Sequence, residues 1–227
     1  MNLVIETPAT PTVPVDGGGA FPVRRIYCVG RNYAAHAREM GFSGREPPFF
    51  FMKPADAVLS SGVMRYPPLT ADLHHEVELV LAIGRGGRDI ADSDALSHVF
   101  GYAVGLDMTR RDLQTQMKKE GRPWSIGKGF DESAPIGAIV PAARAGDVYR
   151  AAIELEVNGT VRQASRIDQM IWSAAEIISH LSRAWTLAPG DLVFTGTPEG
   201  VAAVVPGDRL DARIDGLPAL RVAIVAG

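Results

Sequence analysis

The chain has 227 residues, 46% apolar and 22% charged, with 23 basic and 26 acidic side chains for a net charge of −3. This is ordinary globular composition: it excludes a disordered or collagen-like chain and offers no basic surplus for nucleic acid or an anionic membrane. A single cysteine, Cys28, excludes a disulfide scaffold, and no apolar run reaches the length of a membrane span.

The 24 glycines and 16 prolines are scattered along the chain, which predicts short elements joined by tight turns, as in a strand-rich fold. The first basic residue is Arg24, so no basic targeting start is read and a cytoplasmic protein is expected. In chain order, a short strand is predicted over 2–6, then a Pro- and Gly-rich surface arm over 7–22. A buried strand follows over 25–29, a helix over 33–40 closed by Gly41, and a strand over 49–52 stopped by Pro54. The spacing predicts a long strand over 73–83, a short helix over 91–99 capped by Asp92 or Ser93, and a strand over 100–106. MTRRDLQTQMKKEG then reads as a helix ending at Gly121. Strands over 153–157 and 160–163 flank Asn158-Gly159, a type I′ hairpin turn. An amphipathic helix over 172–184 places Ala174, Ile177, Ile178 and Leu181 on one face. Late strands are predicted over 191–195 and 209–214.

Several side chains in this frame could carry chemistry. On a strand, Glu76 and Glu78 share a face with His74, while Val77, Leu79 and Leu81 face a core. Two neighbouring carboxylates need a cation, water or a raised pKa. Asp107 closes the apolar run GYAVGLDM, a costly place for an unpartnered acid. Three carboxylates without cysteine form an all-oxygen set suited to Mg²⁺ or Mn²⁺ rather than Zn²⁺. The same pattern also fits an exposed strand face, with Asp107 capping a helix. Asp107, Arg111 and Gln114, spaced i, i+4, i+7, would line one helical face and could hold a metal together with a carboxylate, or form a surface ion pair. His36 and Glu39, at i and i+3, could form a general base oriented by an acid, on a helix placed to move as a lid. They also fit an exposed helix with a casual contact. Lys53 and Lys128 are single cations beside apolar or Gly-rich sequence, able to bind a carboxylate or stabilise an oxyanion, and they equally fit solvated lysines that follow a strand. The turn over 195–200, TGTPEG, offers hydroxyls and free N–H groups to an anion, or is a plain tight turn after a strand, and it lacks a P-loop ending. Cys28, inside an apolar strand, reads as core.

The stretches CVGRNYAAHAREMG, PPFFFMKPADAV, DLHHEVELVLAIG, GYAVGLDMTRRDLQ, GRPWSIGKGFDESAPIG, LEVNGTVRQ and GDLVFTGTPEGV occur in this order. In them the chain resembles the fumarylacetoacetate hydrolase family, from about Arg24 onward. The resemblance implies an α+β fold, a strand-rich mixed β-roll with short peripheral helices and a lid helix. It divides the chain into an N-terminal arm over 1–23 and one catalytic domain over 24–227, without the extra N-terminal domain of the large members. It further implies a homodimer and a Mg²⁺ or Mn²⁺ ion held by Glu76, Glu78 and Asp107. His36 and Glu39 match the water-activating dyad, and Lys128 the lysine near the reacting carbonyl. Arg31, Lys53, Arg111, Gln114 and Thr197 match substrate contacts. Ala202 departs from the glycine that many relatives carry after the TGTP turn.

Within the family the chain is most similar to the small acylpyruvate-cleaving branch, and its 21–57 region to the fumarylpyruvate hydrolases of gentisate breakdown. The implied reaction is hydrolysis of an acylpyruvate dicarboxylate, with neither nucleic acid nor membrane as partner. The same scaffold also fits oxaloacetate decarboxylation or isomerisation and decarboxylation of a 2-oxo-heptenedioate, which need enol chemistry but no attacking water. The His36/Glu39 dyad favours the hydrolase. A non-catalytic metal- or anion-binding module is the reading from a different class, and the complete residue set speaks against it.

Overall fold

The structure is a computed structural model describing residues 3–33 and 45–227. Its centre is a six-stranded sheet ordered Val140–Pro141, Val99–Leu106, Val77–Ile83, Asp191–Phe194, Arg25–Gly30, Phe49–Lys53. All neighbours are antiparallel except Asp191–Phe194 with Arg25–Gly30. A second sheet of five strands runs Thr160–Arg166, Ala152–Val157, Arg209–Ile214, Leu220–Val225, Val63–Arg65. The architecture is thus strand-rich with mixed sheets that do not close into a barrel. Among the described residues the α-helices are Asp92–Ala95, Arg111–Glu120, Ser125–Lys128 and Ala174–Ala184.

The core follows from strand alternation. Ile153, Leu155 and Val157 turn inward from the smaller sheet to meet Val77, Leu79 and Leu81 of the larger one. On the other face of the larger sheet, Val80 and Ala82 pack with Ile26, Cys28, Leu192 and Phe194. The Val77–Ile83 strand is therefore buried on both faces, as its near-continuous apolar sequence requires. The Ala174–Ala184 helix starts at Ser173 with a reciprocal capping box to Glu176, and it buries Ala174, Ile177, Ile178 and Leu181 as its periodicity predicts. Each large apolar side chain so buried contributes roughly 1.5–3 kcal/mol. Asn158 and Gly159 have φ of 52° and 76°, the left-handed pair that a type I′ hairpin turn needs.

Some expectations change. Among the described residues of the 2–6 stretch no strand forms: Leu3, Val4 and Ile5 are exposed and in no strand. Pairing occurs later in the arm, where Thr12–Pro14 meets Ala20–Pro22 and buries Val13 and Phe21. The long strand over 73–83 breaks at His75–Glu76, because Leu73–His74 pairs in a small sheet with Thr109–Arg110 and Ala203–Val204 while Val77–Ile83 joins the large one. The helix after Asp107 begins only at Arg111. The 91–99 segment is a helical turn, Asp92–Ala95, and a 3₁₀ turn, Leu96–His98, with Ala91 rather than Asp92 or Ser93 at the N-cap. The strands Val63–Arg65 and Leu220–Val225 add to the expected elements, and the alternate burial of LRVAIV matches a half-buried strand. Among the described residues no helix is long and apolar enough to cross a membrane.

Candidate metal centre

Strand register assembles the acids. Val77 pairs with Leu106 and Glu78 with Gly105, so the residue before one strand, Glu76, lies beside the residue after the other, Asp107. The Asp107 N–H donates to the Glu76 carbonyl at 2.9 Å, which locks the crossing. Gly105 opposite Glu78 allows the close approach: a Cβ there would stand 2.5 Å from Val80 and 2.7 Å from Phe194. One oxygen from each of Glu76, Glu78 and Asp107 lies within 4.8 Å of the others. All three are buried, at 6%, 1% and 1% exposure, which excludes the exposed-face reading.

Cations close around them. Lys128, from the Ser125–Lys128 turn of helix, donates to Glu76 Oε2 at 2.9 Å and Asp107 Oδ2 at 2.7 Å. Arg111, the first residue of its helix, donates to Glu76 Oε1, Gln114 Oε1 and His74 Nδ1, and His74 Nε2 meets Asp72 at 2.9 Å. Lys53 reaches Asp107 Oδ1 at 2.8 Å and donates to the carbonyls of Met108 and Lys128. Among the described residues no cation pairs with Glu78. Its Oε2 accepts from the Gly196 N–H at 2.7 Å, at the turn after Asp191–Phe194.

The electrostatics follow. Burial works against the charge on Glu76, but Lys128 and then Arg111 outweigh it and hold that carboxyl well below the usual range. Burial, then the charges of Asp107 and Glu76, push Glu78 well above it. Burial lowers the proton affinity of Lys128, yet Asp107 and Glu76 more than restore it, so the ammonium stays charged.

These residues fit a hard divalent cation. The donors are all carboxylate oxygens, the set that suits Mg²⁺ or Mn²⁺. Asp107 Oδ1 is buried without a hydrogen-bond donor: the Lys53 contact is an ion pair by distance but lacks hydrogen-bond alignment. Glu78 gains most from a cation, since its charge is otherwise opposed. A cavity of about 30 Å³ adjoins Glu76 and Glu78, lined also by Arg31, Phe49, Arg111, Gln114, Trp124, Lys128 and Thr197. A space of that size holds about one ion or water. A larger cleft, about 660 Å³, is lined by Arg65, Tyr66, Arg110 and Phe130 among others, but the acidic cluster is not in its wall. Chemistry, not volume, locates the site.

The structure thus brings together Glu76, Glu78, Asp107, Lys128, Arg111, Gln114, Arg31 and Thr197. Asp107 does not share a helix face with Arg111 and Gln114, because the helix starts after it, but Arg111 and Gln114 do bond each other. Lys53 is not among the residues that line the cavity: it is 1% exposed and pairs with Asp107, which does not line it either. Arg31 adopts φ of 58° and places its guanidinium over the Phe49 ring. His36 and Glu39, and the helix predicted over 33–40 beyond Tyr33, lie outside the described residues. Cys28 is buried with its thiol pushed up by burial, consistent with core packing. Sequence reasoning missed Thr109, whose hydroxyl lies 3.3 Å from Glu76 Oε1, the Gly196 N–H, and Gln163. Gln163 had one readable signal, an inward polar position opposite Leu155 in the hairpin.

Comparison with known proteins agrees with this chemistry. The family model "Fumarylacetoacetate (FAA) hydrolase C-terminal" matches residues 25–225. A fumarylpyruvate hydrolase of Ralstonia sp is 45% identical over 180 residues, 79% of this chain and 93% of that protein. The mitochondrial oxaloacetate tautomerase FAHD1 of Rattus norvegicus is 43% identical over 199 residues, 87% of this chain and 90% of that one. The crystal structure of fumarylpyruvate hydrolase from Pseudomonas aeruginosa, in complex with Mn²⁺ and pyruvate, superposes with a TM-score of 0.97 at 57% identity, covering 100% of both chains.

Proposed function

This chain belongs to the fumarylacetoacetate hydrolase family, and from that membership we propose that it is a divalent-metal-dependent acylpyruvate hydrolase acting on fumarylpyruvate. The observation that carries the reading is the buried Glu76, Glu78, Asp107 triad with Lys128 and Arg111 against it. Glu76, Glu78 and Asp107 would hold Mg²⁺ or Mn²⁺, which supplies Lewis-acid polarisation of a 2-oxo acid when bound. Arg111, Gln114, Arg31 and Thr197 line the adjoining cavity and bind the substrate's carboxylate ends. Lys53 acts through Asp107, holding that carboxylate in place rather than touching substrate.

In the proposed reaction, water adds to the C4 carbonyl as His36, oriented by Glu39, removes its proton. Lys128 stabilises the oxyanion formed at C4. The C3–C4 bond then breaks: its electron pair leaves as the enolate of pyruvate, which takes a proton at C3, and C4 becomes the new carboxylate of fumarate. We place this step in aromatic catabolism through gentisate, in a cytoplasmic homodimer.

The similarity to the oxaloacetate tautomerase supports a second reading, enol–keto chemistry on oxaloacetate, which uses the same acids without an attacking water. A panel of fumarylpyruvate, other acylpyruvates and oxaloacetate, each followed by loss of enol absorbance with Mn²⁺ and with EDTA, separates the two. Metal-dependent release of fumarate and pyruvate, abolished in His36→Ala, is the expected result. Turnover of oxaloacetate alone, indifferent to His36→Ala, sinks the hydrolase reading.

A further inference from the structure

Gln163 lies on the hairpin strand Thr160–Arg166, 1% exposed among otherwise largely exposed neighbours, and joins both walls of the site. Its Oε1 accepts from the Val77 N–H at 3.1 Å, and Val77 stands between the two glutamates. Its Nε2 donates to the Pro198 carbonyl at 2.9 Å and to Thr197 Oγ1 at 2.8 Å. The direction of this amide is settled by chemistry: a backbone N–H can only donate and a proline carbonyl can only accept. The same logic places the proton of His75 on Nδ1, 2.9 Å from Gln163 Oε1.

The consequence falls on Thr197. A hydroxyl has one proton to give and lone pairs with which to accept. The Gln163 amide donates to Thr197, so the hydroxyl accepts there, and its own proton meets no acceptor among the described residues. Thr197 is 4% exposed and lines the cavity with Glu78 and Lys128. We propose that Gln163 is a positioning residue that holds the Thr197 hydroxyl as a hydrogen-bond donor into the site, matched to the carboxylate of a 2-oxo acid. This deepens the functional reading above and rests on it for the class of ligand. The charged oxygens of a carboxylate accept more strongly than the neutral oxygen of an alcohol or amide, so a donor fixed in advance favours the carboxylate.

The test is a double-mutant cycle of Gln163→Glu and Thr197→Val, read by calorimetry of pyruvate binding to the Mn²⁺-loaded protein. In Gln163→Glu one oxygen still accepts from Val77, but the other invites the Thr197 proton away from the site. Pyruvate affinity is expected to fall about tenfold, the worth of one hydrogen bond to a charged group. Tm should fall, because a buried carboxylate oxygen then faces the Pro198 carbonyl, but Mn²⁺ affinity should not weaken, and KM for the acylpyruvate should rise with kcat little changed. In the Thr197→Val background, Gln163→Glu should cause no further loss of pyruvate affinity. Additive losses, or a parallel fall in Mn²⁺ affinity, overturn the proposal by showing general support of the fold. If the parent turns over no acylpyruvate yet binds pyruvate, the functional reading fails while the cycle still decides the role of Gln163. A Mn²⁺-loaded parent that binds no pyruvate overturns the inference itself.

Discussion

Lys128 faces two demands that its contacts make concrete. Its ammonium bridges Glu76 and Asp107, two of the three acids that would hold a cation. A bound ion must share those oxygens with Lys128 or displace it, and a charged lysine opposes a second positive charge nearby. Removing the ammonium while keeping the side chain's bulk should therefore separate metal binding from turnover. Lys128→Met is expected to bind Mn²⁺ at least as tightly as the parent by calorimetry. Its turnover should drop on the order of 100- to 1000-fold, the usual cost of losing one preorganised oxyanion donor. Weaker Mn²⁺ binding would instead make Lys128 an organiser of the acids. Arg111 differs from Lys128 in kind, because its planar fork spans Glu76, Gln114 and His74 at once and a lysine there could not.

Elements position these groups through two features, a register and a cap. The Val77–Ile83 and Val99–Leu106 strands bring Glu78 opposite Gly105, two residues before Asp107. Gly105→Ala drives a Cβ into Val80 and Phe194, an overpacking that typically costs roughly 1–3 kcal/mol. Because the displaced strand carries Asp107, Mn²⁺ affinity should fall together with stability. Ser173→Ala removes the capping box of the Ala174–Ala184 helix and should cost about 1 kcal/mol. Ser173 holds no group of the acid cluster, so Mn²⁺ affinity should be unchanged there. Denaturant unfolding and metal titration of both variants check the contrast, and equal effects on the metal would argue against register as the organiser. The Asp107 to Arg111 stretch shows why helical spacing misled. Thr109–Arg110 is drawn into a strand pair by Leu73–His74, so the helix nucleates only where that pairing ends.

For the whole molecule, the opposite shifts of Glu76 and Glu78 tie metal binding to pH. Glu78 holds its proton to higher pH folded than unfolded, so the metal-free protein loses stability as pH rises from the ordinary carboxylate range through the raised folded value. Glu76 is shifted the other way, and its contribution is lost only as pH falls below that range. A divalent ion needs Glu78 ionised and relieves the repulsion that opposes it. Mn²⁺ binding should thus release a proton, and the rise in Tm that it causes should grow with increasing pH. Calorimetry in buffers of different ionisation enthalpy, with melting curves at several pH values, measures both. A metal-induced Tm shift that shrinks as pH rises would refute the coupling.

Local pattern made much of this protein legible before folding. Period-two alternation separated the apolar Val77, Leu79 and Leu81 from Glu78, the i, i+3, i+4 spacing marked the Ala174–Ala184 helix, and Asn158-Gly159 marked its hairpin. Each depends on neighbours a few residues apart, where chain geometry alone decides who shares a face. Motif order carried the family, and with it Asp107 and Lys128 as members of one site. Only the tertiary structure decided that all three acids are buried, that Lys53 pairs with Asp107 outside the cavity wall, and that Gln163 spans from Val77 to the Thr197 turn. Those facts depend on strand register and sheet order, which bring together residues dozens of positions apart. No local periodicity encodes such pairings, because they arise from how whole faces find a common core.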